Sequence, residues 1–177
     1  MDEKKKAAIA APIQNFRLPR YDELPDVGLY LEQTTRYILE YLAPLQEHII
    51  TSSMISNYVK KELITNPVKK QYYKEQISHL FFISIVKSVV SMDDLHTLIE
   101  LQKSTYPSRI AYDYFCSEFE NILFYVFGLK DSVEYIGTEE SDEKIILRNA
   151  IITAAHKIYL DKYLAYLHAA KGKNIFS

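Results

Sequence analysis

The side chains best suited to chemistry in this sequence lie between residues 51 and 74, and their types fit the grip of a polyanion better than the making of bonds. If Met54, Ile55, Tyr58 and Val59 pack inward on a short helix, then Ser53, Ser56, Asn57, Lys60 and Lys61 face outward. Asn can pair with an adenine edge through two hydrogen bonds, and Ser can make single contacts with base or backbone. Lysine brings a point charge for phosphate. Lys69, Lys70 and Lys74 follow closely and add three further candidate phosphate contacts. A solvated helix presents the same kind of face, so residue types alone leave both readings open.

Catalytic groupings are sparse. His48, His79, His96, His156 and His168 are dispersed, and none has the spacing of a metal-binding helix. Asp93, Asp94 and His96 have the composition of an acid-base or metal group, but both aspartates suit the start of a helix. Glu139, Glu140, Asp142 and Glu143 read the same way. Four glycines leave little material for a phosphate loop or a nucleophile elbow, and neither motif occurs. The single Cys116 rules out an internal disulfide and a cysteine-based structural zinc site. The expectation is a non-enzyme without cofactor or metal.

The elements that must position the basic residues read as helices. With 48% hydrophobic and 25% charged residues in 177, the chain has the composition of a folded domain. Apolar residues recur at three and four residue spacing, which predicts an all-α protein. No apolar run approaches the roughly 18 residues that span a bilayer, and Lys4-Lys5-Lys6 precedes no signal-peptide core. A cytoplasmic protein without membrane contact is expected. The net charge of −2 divides unevenly, with 6 basic and 7 acidic residues in 1–44, 6 and 3 in 45–90, and 9 and 13 in 91–177. The positive excess thus coincides with the candidate contact zone.

Residues 1–20 show no period and are expected to form a flexible arm, with order beginning near Tyr21. A first helix is predicted from Asp26 as N-cap to about Pro44. A second, capped by Thr51, ends near Leu63. Residues 64–72 read as a loop or two-stranded wing. A third helix from about Lys74 carries apolar residues on more than one face and should lie between neighbours. Ser91-Met92-Asp93-Asp94 opens a fourth helix with a capping pattern. An aromatic fifth helix stops at Gly128, and a last one runs from Thr138 to about Ala170.

This order of helix, turn, capped helix, basic loop and further helices is the layout of a winged helix-turn-helix, in which the second helix enters the major groove. Thr51-Ser52-Ser53-Met54-Ile55-Ser56-Asn57-Tyr58-Val59-Lys60, then Leu63-Ile64 and Pro67-Val68-Lys69-Lys70-Gln71-Tyr72, resembles the DNA-binding motif of the MerR family. More narrowly, the chain resembles a bacterial family of uncharacterised proteins, mostly of Gram-positive organisms, that carries a MerR-like head. Leu18-Pro19, Glu23-Leu24-Pro25, Leu29-Tyr30, Gln33 and Lys87 extend that likeness over residues 18–101. The resemblance implies transcription regulation through duplex DNA. It adds Thr51, Ser52 and Tyr72 to the candidate DNA contacts.

Departures from the pattern carry their own expectations. Glu62 stands where MerR relatives usually have Gly, which puts a repulsive charge near the DNA backbone. The wing is short, and Tyr73 replaces a Ser cap, so the third helix should start less sharply. On this reading residues 21–103 form the MerR-like head, and residues 104–177 form a C-terminal helical region for dimerisation or sensing. The partners expected are duplex DNA, a second copy of the chain, and a hydrophobic small-molecule effector in the C-terminal region. A different class of function also fits: a protein-interaction adaptor acting through the aromatic helices, with the helix-turn-helix kept as a packing unit.

Overall fold

The computed structural model describes residues 3–45, 50–134, 136 and 141–173. His48, Gly137, Thr138, Glu139 and Glu140, together with the expected start of the last helix at Thr138, lie outside them. The described chain is all-α apart from two very short strands. In order it has α1 (Glu3–Ala10), β1 (Leu29–Tyr30), α2 (Leu31–Leu42), α3 (Ser52–Lys60), β2 (Gln71–Tyr72), α4 (Lys74–Val86), α5 (Met92–Thr105), α6 (Ser108–Val126) and α7 (Asp142–Lys173). Short 3-10 turns follow α1 and span Tyr21–Glu23. Among the described residues no helix is long and apolar enough to cross a membrane.

Helix α4 is the axis of the fold because its sequence leaves no polar face. Every residue from Gln76 to Val86 is buried. Its rings meet α2 on one side and α6 on the other. Phe81 packs edge-on to Tyr37 and Tyr41, while Phe82 lies 5.2 Å from Phe115. Phe115 stacks on Phe119 at 6.0 Å. Such pairs add to the roughly 1.5–3 kcal/mol gained by burying each ring. Helix α7 covers α6 through Ile151, Ala154, Ala155 and Ile158, all buried. Arg148 Nε also donates to Glu118 Oε1 at 2.6 Å, although burial pushes the Glu118 carboxyl above its usual range.

Three expectations about the chain's organisation change. The segment read as a flexible arm is packed, with Ile9, Ile13, Phe16 and Leu18 buried in the common core. Polar bonds hold its exit. Glu120 accepts the Leu18 N–H at 2.8 Å and both Arg20 guanidinium nitrogens at 2.8 and 2.7 Å, and Asp113 accepts the Tyr21 N–H at 2.8 Å. The first long helix starts at Leu31 rather than at Asp26, because Leu29 and Tyr30 are drawn into a strand and Gln33 Oε1 takes the Tyr30 N–H at 2.9 Å. A division at residue 103 does not separate two cores, since one cluster of buried side chains runs from Ile9 to Ile158. Tyr112, Phe115 and Phe119 of α6 therefore pack within the chain, the first two against the helix that follows the basic loop, whereas Tyr125 is exposed.

Candidate nucleic-acid interface

Local interactions define α3 and point it. Thr51 Oγ1 accepts the Met54 N–H at 3.2 Å and caps the helix start. Ile55 and Tyr58 anchor the inner face in the core. Buried Thr35 of α2 ties the first turn down through its hydroxyl, 3.0 Å from Ser52 Oγ, and the Ser56 hydroxyl is spent on the Ser52 carbonyl at 3.0 Å. The exposed polar residues left are Ser53, whose hydroxyl lies 3.0 Å from Thr51 Oγ1, and Asn57, Lys60 and Lys61. Their spacing of four, seven and eight from Ser53 places them on one stripe. Behind the helix, Lys87 Nζ lies 3.7 Å from Met54 Sδ, and burial lowers its pKa.

The end of α3 uses a glycine-type conformation without glycine. Leu63 N–H reaches the Tyr58 carbonyl and Glu62 N–H the Val59 carbonyl, both at 3.0 Å. This paired closure turns the chain sharply at Glu62, whose φ is +59°. Leu63 and Ile64 then plunge into the core.

The basic loop is a tight hairpin. Val68 and Gln71 exchange backbone hydrogen bonds of 3.0 and 2.9 Å, leaving Lys69 and Lys70 as a two-residue tip with φ of +50° and +66°. Positive φ at both central positions defines a type I′ turn, where Asn-Gly is the favoured pair. Here both positions hold exposed lysines. The strand β2 that follows pairs antiparallel with β1, Leu29 opposite Tyr72 and Tyr30 opposite Gln71. That approach needs Gly28, since a Cβ there would lie 2.7 Å from Gln71 Cβ.

Gln76, buried at the start of α4, holds the base of this wing. Its Oε1 accepts the Tyr73 N–H at 2.7 Å, and its Nε2 donates to the carbonyls of Thr65 and Asn66 at 3.2 and 2.9 Å. The start of α4 is therefore set by the Gln76 side chain reaching back, even though Tyr73 offers no cap of its own.

Two sequence candidates drop out of the outward set, one by burial and one by an ion pair at the surface. Tyr72 is 4% exposed, because pairing opposite Leu29 turns its ring inward. Lys74 is bound to the N-terminal segment, with its Nζ 2.6 Å from Asp26 and 3.2 Å from the Asp22 carbonyl. Ser52, Ser56 and Thr51 position the helix through the bonds above. The positioning roles of Thr35, Gly28 and Gln76 were missed by sequence reasoning. Only Gln76 left a signal, as an amide three residues after an N-cap position.

Elsewhere, Asp94 is engaged by Ser91, whose hydroxyl donates to it at 2.6 Å while accepting the Asp94 N–H at 3.1 Å. Cys116 is buried, and desolvation pushes its thiol up to about 12. No group of three or more His, Cys, Asp or Glu among the described residues could hold a metal ion.

No curated protein and no solved structure matches the chain. A family match runs from residue 19, at the strap that Glu120 holds, to residue 115 in the middle of α6, and so takes in α3, the wing and the first half of the aromatic helix. Spanning more than half of the chain, it makes the protein a member of the family described as Domain of unknown function (DUF1836).

Proposed function

We propose that the protein is a transcription regulator that binds duplex DNA, with α3 in the major groove and the hairpin tip on the flanking backbone, as in a MerR-like winged helix-turn-helix. The observation that carries this reading is the tip itself. Lys69 and Lys70 occupy two left-handed positions where Asn-Gly would cost less, an arrangement that gives up stability to set two cations at an exposed apex. Asn57 and Ser53 are the base or backbone contacts, and Lys60, Lys61, Lys69 and Lys70 are the phosphate contacts. A two-fold dimer would offer two such helices to half-sites one helical turn, or a multiple of it, apart.

The test is fluorescence anisotropy of fragmented genomic DNA at two salt concentrations, with the retained fragments sequenced. Enrichment of a palindromic site is expected, with affinity falling as a log-log slope near −0.9 per phosphate neutralised. Replacing the tip (Lys69→Asn with Lys70→Gly) should flatten that slope by about two per subunit while the fold becomes more stable by about 1 kcal/mol. An unchanged slope would remove the wing from the interface.

A second reading, binding to another protein, is favoured by the apolar surface around Gln71. Tyr30 and Val68, both paired with Gln71, are 54% and 57% exposed, and Glu62 adds an acid near the end of α3. Passage through heparin without retention would support this reading over the first.

A further inference from the structure

Helix α7 carries apolar side chains on two opposite faces, and only one of them lies in the core, through Ile151, Ala154, Ala155 and Ile158. On the far side Ile145, Ile146, Leu160 and Leu164 are 45, 48, 49 and 42% exposed. The charged Arg148, Lys157 and Asp161 stand at the sides of this outer face and are half-buried. A helix that turned its outer face only to water would have the charges outermost and the apolar residues beneath. The outer face extends about 33 Å from Ile145 to Leu167 at 1.5 Å per residue, which is long enough for a second helix to lie along it.

The pattern along this face identifies that helix. Ile145, Asn149, Ile152, His156, Leu160, Tyr163 and Leu167 follow one another at spacings of four, three, four, four, three and four, the seam of a coiled coil. This order is the same from either end. Turned about a two-fold axis at His156, the seam sets Ile152 on Leu160, Ile145 on Leu167 and the Asn149 amide on the Tyr163 phenol, with Ile146 beside Leu164 at the flank. Apolar side chains meet apolar ones, and polar meet polar. A two-fold interface requires such self-complementarity, because one patch supplies both of its sides. Lys157, close to the axis, brings no bare charge, since its Nζ lies 2.7 and 2.6 Å from the two Asp161 carboxylate oxygens of the same helix.

We propose that two copies of this chain pair antiparallel through the outer face of α7, with the two-fold axis at His156. An unrelated chain would have no cause to match a seam that is symmetric about its own centre. The interface involves neither α3 nor the wing, so it stands or falls separately from DNA binding.

Sedimentation of the full chain, combined with cysteine cross-linking, tests the pairing. The unaltered protein is expected to be a dimer. Leu160→Glu, at an exposed position in each copy, would bury a carboxylate against Ile152 and should raise the dimer dissociation constant about a hundredfold, with helical circular dichroism retained. Under mild oxidation His156→Cys should link two copies through a disulfide, as should Ile145→Cys combined with Leu167→Cys, while Ile145→Cys alone should stay unlinked. The buried Cys116 supplies no competing thiol. A monomer at every concentration would overturn self-pairing and leave the face to a different chain. Linkage of Ile145→Cys to itself would overturn the antiparallel arrangement, and a dimer unaffected by Leu160→Glu would overturn the choice of face.

Discussion

The segment from α3 to β2 and the aromatic layer of α4 and α6 are built on opposite terms. All the positive-φ residues other than glycine among those described, Glu62, Lys69 and Lys70, fall in the first. In the second, the helix of α6 ends at Gly128, where φ of +70° suits the residue, and large rings fill the interior. Left-handed backbone at a non-glycine residue costs on the order of 1 kcal/mol and persists only where the surroundings impose it. The protein is thus optimised for stability in the layer and yields to other demands in the hairpin: the layer supplies the rigidity that lets a strained, charged hairpin keep its shape.

Substitutions in the aromatic layer should cost the most. Phe115→Ala removes a ring with no exposure from among Phe82, Tyr112 and Phe119, and should cost about 3–5 kcal/mol in urea unfolding. A loss under 1 kcal/mol would mean that the layer is not the rigid half. Acid probes the same layer. His79 is buried on α4, and desolvation, helped by Lys103 and opposed by Glu100, pushes its imidazole down to about 4 from the ordinary 6.5. The unfolded chain therefore binds the extra proton between those values. This contribution to stability is complete above pH 6.5 and should fall by about 3 kcal/mol as the pH drops through 4. His79→Leu should flatten the dependence of the urea midpoint on pH over that window.

Gln76 joins the two regions. Gln76→Ala leaves the Thr65 and Asn66 carbonyls and the Tyr73 amide without that partner, at a cost of about 2 kcal/mol. Hydrogen exchange should quicken across residues 65–73 while α6 stays protected, and a uniform change across both would count against the hairpin as a separately supported unit. The smallest effect belongs to Glu62→Gly, which relieves the left-handed strain and should stabilise the fold by about 0.5 kcal/mol. Under the DNA reading it should also tighten binding by removing an acid, which anisotropy would register. A destabilising Glu62→Gly would show that strain is not what sets the two regions apart.

Features that depend on neighbours within a few positions were legible in the order of residues alone. Thr51 and Ser91 cap α3 and α5 because a hydroxyl there meets amides three residues on. Gly128 ends α6, and the all-round apolarity of α4 required a central place. The outward set Ser53, Asn57, Lys60 and Lys61 was legible because helical spacing sorts faces. The remaining features arise from contacts between distant parts of the chain. The N-terminal segment looked mobile because its buried residues follow no single period, and the carboxylate that receives the Leu18 amide lies 102 positions away. Tyr72 turned inward through a strand too short to show alternation, and Lys74 was claimed by Asp26. The left-handed turn at Lys69 and Lys70 carried no glycine or asparagine to announce it, since it is imposed by the Val68–Gln71 pairing and the hold of Gln76. Local preferences are written residue by residue, whereas strain and long-range pairing exist only once the packed interior supplies the forces that sustain them.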